Sequence, residues 1–190
     1  MKCNLSTNNY YTQRNNTIKP LSACMPTSYA MFLKGNKIPF FNHSGMQDDD
    51  YFMNILNTEN AKNFCLNKYR WSKGIPPNEV HGMYGSYLSY FVCGKRASDF
   101  SNLLRFEDYI DLAEEGKVIM TSGSFSGIDG HAFCVIGIHG KDLIIADPWG
   151  DFHTGYDEHN GYGIRMNRAE FLAHVKPCHE EKKWGHIEWE

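Results

Sequence analysis

Apolar and polar positions change their period twice along the chain. Residues 4–19 are mostly polar, rich in Asn and Tyr, and closed by Pro20, which predicts extended chain lying against the body. Tyr29, Met31, Phe32 and Leu33 then form an apolar stripe, Pro26 suits a first helical turn, and Gly35 marks a stop. A helix is therefore expected with Cys24 at its N-terminus. Helical spacing recurs over 51–57, 85–92 and 106–115, with Gly/Pro loops such as Lys73-Gly74-Ile75-Pro76-Pro77 between. After Lys117 the period becomes that of strands, over 118–121, 131–138 and 143–146, with His139-Gly140-Lys141 as a hairpin turn. A further strand over 163–166 and a short helix over 168–174 follow, and 179–190 is read as a charged tail or an edge strand.

Helices first and strands after give an α+β fold, a helical lobe packed on an antiparallel β-sheet. A chain of 190 residues with 42% hydrophobic content suits a single domain over 1–190, and a monomer is expected. The net charge of −3 and the lack of a Lys/Arg block exclude nucleic acid and anionic membrane as natural partners. The first ten residues hold no apolar core segment and no run reaches spanning length, so no signal peptide, no membrane insertion and synthesis in the cytoplasm are expected. Six cysteines without a CxxC pair read as reduced thiols, one reactive and the rest structural.

The reactive one is Cys24. A thiol at a helix N-terminus is exposed to aligned peptide dipoles and free N–H groups, which favour the thiolate. His131 opens the apolar run Ala132-Phe133-Cys134-Val135-Ile136, after a Gly-rich stretch over 122–130 read as a flexible loop. Asp147 closes Leu143-Ile144-Ile145-Ala146. Each lies eight residues from His139, so an antiparallel hairpin returns both to one end, and an odd-length loop sets both on one face. Asp147 would then fix the imidazole tautomer and leave the other nitrogen for Cys24. Gln13 is the candidate oxyanion donor, beside the Cys24 backbone N–H. The plain alternatives are a structural histidine, a turn aspartate before Pro148 and a solvated glutamine.

Other motifs lack the chemistry they suggest. Gly123-Ser124-Phe125-Ser126-Gly127 has Phe125 where a serine nucleophile would stand. Asp48-Asp49-Asp50 lacks the ligand pattern of a calcium loop and reads as a solvated acidic turn. His153 and His159, with their acidic neighbours, lack zinc spacing, so no metal and no cofactor are assigned. Trp149, Tyr156 and Tyr162 suit either a binding rim or the core.

The runs around Gln13, Cys24-Met25-Pro26-Thr27-Ser28-Tyr29, Gly130-His131-Ala132-Phe133 and Ala146-Asp147-Pro148-Trp149-Gly150-Asp151 resemble the bacteriocin-leader-peptidase-like group of papain-like cysteine peptidases. The resemblance implies a papain-like fold and amide hydrolysis through a thioester. It casts Cys24 as nucleophile, His131 as base, Asp147 as orienter and Gln13 as oxyanion donor, with Met25, Gly130 and Trp149 at the substrate. Met25 departs from the family's usual glycine after the nucleophile, which narrows the expected cleft. Similarity to stand-alone lysins implies peptidoglycan peptides as substrate, reached after release from the cell that makes the enzyme. An intracellular protein-processing peptidase and a catalytically silent binding module on the same fold are the alternatives.

Overall fold

The computed structural model describes residues 1–61, 63, 77–94, 102–175 and 183–186. Its helices are α1 (Cys24–Gly35), α2 (Asp48–Leu56), α3 (Pro77–Cys93), α4 (Phe106–Glu114) and α5 (Arg168–His174). Its strands are β1 (Lys2–Cys3), β2 (Asn102–Leu104), β3 (Ile119–Phe125), β4 (Ile128–His139), β5 (Asp142–Ala146), β6 (Tyr162–Met166) and β7 (Lys183–His186). They form one antiparallel sheet in the order β2-β7-β3-β4-β5-β6, with β1 added against β4.

The strands β4 and β5 carry nearly continuous apolar runs over 132–136 and 143–146, and β3 is buried apart from Ser124, because both faces of the sheet are covered. Met120, Ala132, Cys134, Ile136, Ile144 and Ala146 point to α1, α2 and α3. The alternate residues Ile119, Phe133, Val135, Leu143 and Ile145 point to α4 and α5, where Tyr109 and Phe171 are fully buried. The expected helical lobe that carries Cys24 thus packs on one face of the antiparallel sheet, and α4 and α5 cover the other. Strands that alternated polar and apolar would have left one face wet.

Three expectations change. The stretch over 122–130 is not a flexible loop: β3 and β4 continue through it, and Phe125 pairs with Ile128 around the turn Ser126-Gly127. Both turn residues have positive φ, 46° and 82°, the mirror-image geometry that suits a two-residue hairpin. The 183–186 strand is not at an edge but lies between β2 and β3. The N-terminal stretch, read as extended, is punctuated by 3-10 turns at Thr7–Asn9, Gln13–Asn15 and Pro20–Ser22. Cys65, Cys178 and most of the 73–77 loop lie outside the described residues.

The β4–β5 turn decides the site. His139 pairs with Asp142, so the loop holds two residues, Gly140 and Lys141, an even number. An unbroken ladder from there would set Asp147 opposite Cys134, whose side chain faces α1, away from His131. The ladder instead slips at Ile136: Gly137 pairs with Ile144 but Val135 pairs with Ile145. This one-residue bulge moves Asp147 to the His131 face. The odd-loop expectation is corrected, and the bulge supplies the parity that the loop does not.

Candidate active site

Cys24 is the first residue of α1 and is half-buried. Thr27 N–H closes the first turn on the Ala23 carbonyl at 3.0 Å, and Pro26 has no N–H to leave unpaired. The Cys24 and Met25 amides thus stand at the positive end of the helix, where backbone donors point out of the first turn.

His131 is 3% exposed and Asp147 is fully buried; Nε2 of His131 lies 2.6 Å from Oδ1 of Asp147. The imidazole also has the Cys24 side chain as a hydrogen-bond partner. Burial is the strongest influence on His131 and pulls its pKa down. The Asp147 charge and hydrogen bond, with Cys24 adding, outweigh it and raise the pKa from 6.5 to about 10. The structure therefore brings three of the four chemical residues together.

Asp147 is itself held. Trp149 N–H donates to its Oδ1 at 2.8 Å and Tyr156 O–H to its Oδ2 at 3.4 Å, while the Tyr10 hydroxyl donates to its backbone carbonyl at 2.9 Å. Tyr156 is buried, its ring is edge-on to His131, and its backbone sits at φ 73°, a region a non-glycine residue enters only when its surroundings hold it there. Burial first, and then the Asp147 charge, keep its phenol protonated and so a donor. Gly161 closes the same loop: a Cβ there would lie 1.9 Å from the Asp147 carbonyl oxygen, so only glycine fits.

Gln13 is 2% exposed. Its backbone N–H donates to the Pro148 carbonyl at 2.9 Å and its Nε2 to the Pro20 carbonyl at 2.7 Å. That leaves one amide hydrogen for another acceptor, while Oε1 is buried without a partner. Arg14 locks the segment to the Asp147 loop: its Nε donates to the Trp149 carbonyl at 2.7 Å and its guanidinium stacks 4.0 Å over the Trp149 ring. Gly130 has φ 68° and is half-buried beside His131. Met25 is buried in the core beneath the site, and its edge lines a cleft at Cys24.

Sequence reasoning missed the role of Asp49 and Asp50. They are not a solvated turn: both are buried at the start of α2. Asp49 Oδ2 accepts from Asn16 Nδ2 at 3.2 Å and from the Thr27 hydroxyl at 3.0 Å; Oδ1 accepts from Gln47 Nε2 at 2.6 Å. Asp50 takes the Thr17 N–H at 2.7 Å and its hydroxyl at 2.9 Å. One carboxylate thus ties the Gln13 segment to the Cys24 helix. Their place in a helical first turn, where carboxylates are favoured, was the available signal. His153, which raised the question of a metal, bridges Asp151 at 3.2 Å and Glu170 at 2.9 Å, and Tyr156 belongs to the core rather than to a binding rim.

A thiol at a helix start, a buried imidazole bonded to it and a carboxylate behind that imidazole are the parts of acyl-transfer chemistry. The model of the Peptidase_C39 like family matches residues 7–173, from the first 3-10 turn to α5. The chain belongs to that family. Membership supports a cysteine peptidase-type hydrolase on a mixed fold of helices and antiparallel sheet. Among curated proteins, none matches the chain in sequence.

Proposed function

We propose that the chain hydrolyses an amide bond through a thioester on Cys24. The reading is supported by the buried contact of 2.6 Å between His131 and Asp147, with the Cys24 side chain as a further hydrogen-bond partner of the imidazole. An imidazolium beside the sulfur favours the thiolate, which attacks the scissile carbonyl carbon. The oxyanion is taken by the Cys24 N–H and the free amide hydrogen of Gln13. His131 gives its proton to the departing amine, then takes one from the water that opens the thioester, and Cys24 leaves as thiolate. Asp147 keeps the ring's orientation throughout.

For substrate we propose peptidoglycan peptides, cut by a monomeric enzyme whose residues 1–190 fold as one peptidase domain and which reaches the wall after release. The lysin-like run 147–156 supports this, and its loop is laced to the site through Trp149 and Tyr156. Cys24→Ala should remove all turnover, and normal turnover by that variant would end the proposal. Purified sacculi should release soluble peptides in the presence of the native protein. Intact sacculi together with cleavage of a denatured protein would move the assignment to protein processing.

A further inference from the structure

Beside Cys24 a cleft of about 220 Å³ opens between the start of α1 and the end of α2. Met25, Met53 and Leu56 form its floor, each less than a tenth exposed, and Pro26 and Tyr84 also line it. Lys19 and Asn57 line it too, and Lys19 Nζ donates to Asn57 Oδ1 at 2.9 Å. That neutral acceptor leaves the ammonium charge uncancelled by the contact.

We propose that this cleft is the side-chain subsite for the substrate residue next to the scissile amide, taking an aliphatic side chain and rejecting glycine and basic residues. The inference rests on Cys24 being the nucleophile and not on peptidoglycan as the substrate: wall stem peptides offer alanine but no larger aliphatic side chain, so a Leu-selective cleft moves the assignment toward protein processing. Cys24 is itself part of the cleft wall, so whatever fills the cleft lies within one residue of the attacked carbonyl. At ~30 Å³ per water the space holds several waters. An aliphatic side chain returns them to bulk and lies on thioether and isobutyl surface. Glycine leaves the space wet, and a basic side chain meets the Lys19 charge across an apolar floor. Two flexible methionines in that floor let it accept leucine, methionine or valine without demanding one shape. Met25, the departure from the family's usual glycine, is thereby given a job: it builds the floor.

The test needs no known substrate. Peptidyl acyloxymethyl ketones with Leu, Gly or Lys next to the reactive carbonyl are attacked by the Cys24 thiolate, which forms a thioether and expels the carboxylate. Rates of Cys24 labelling are read by intact mass and peptide mapping and divided by the iodoacetamide rate at the same residue. The Leu probe should label about tenfold faster than the Gly or Lys probes, the discrimination typical of an apolar pocket. Leu56→Trp, which fills the cleft, should erase the Leu advantage, and Lys19→Glu should narrow the gap between Leu and Lys. Rates for the three probes within twofold of one another on the native protein would overturn the subsite alone. Iodoacetamide that labels Cys24 no faster than Cys3 or Cys93 would overturn the nucleophile assignment and the subsite with it.

Discussion

At the scale of single residues, His131 sets the proton balance of the site. Asp147 is the chief reason that a fully buried imidazole stays protonated to about pH 10, since burial alone would lower its pKa. Asp147→Asn should therefore lower turnover roughly 10³–10⁴-fold, by releasing the ring's tautomer. It should also move the alkaline limb of the pH–rate profile down from about pH 10, because His131 then holds its proton less tightly. A profile with an unmoved limb would show that Asp147 does not act on the ring. Gln13→Ala should cost roughly 10²–10³ in kcat, the usual effect of deleting one oxyanion donor. His131, Cys24, Asp147 and Gln13 were legible as residues because their chemistry is local to a motif. Tyr156 and Tyr10 were not, because a buried tyrosine's hydroxyl partner is chosen by packing between segments 137 or more residues apart in the case of Tyr10.

At the scale of elements, the site is a junction of four pieces: the N-terminal segment, the start of α1, the strand β4 that carries His131, and the loop after β5. Asp49 at the start of α2 keys the first two together through Asn16 and Thr27. Asp49→Ala should destabilise the fold by about 3 kcal/mol, since it strands buried donors that now share one carboxylate. Urea unfolding measures this, and a loss below the error of the midpoint would mean that the segment holds itself in place. Helix and strand positions were readable because periodicity is a short-range property. The bulge at Ile136 was not. Its carbonyl accepts the Asn4 N–H at 2.6 Å, so the extra residue in β4 answers to a strand from the far end of the chain.

At the scale of the whole molecule, the site's ion pair links to folding. His131 has a folded pKa raised above 6.5, so its stabilising contribution is complete below about pH 6.5 and is lost as pH rises through about 10. The urea midpoint should fall across that window, and the fall should be smaller in Asp147→Asn. A native midpoint constant from pH 7 to 10 would contradict the charged pair. The sequence alone determined where most of the helices and the strands β3 to β5 run, that Cys24 starts a helix and that His131 and Asp147 flank one hairpin, because these depend on neighbours a few residues apart. Tertiary structure alone decided that both faces of the sheet are covered, that β7 lies inside it and that a bulge turns Asp147 toward His131. It also decided that Asp49 is a buried tie. Each of these depends on which distant surfaces exclude water together and which buried donors must find acceptors, and a linear pattern does not encode that pairing.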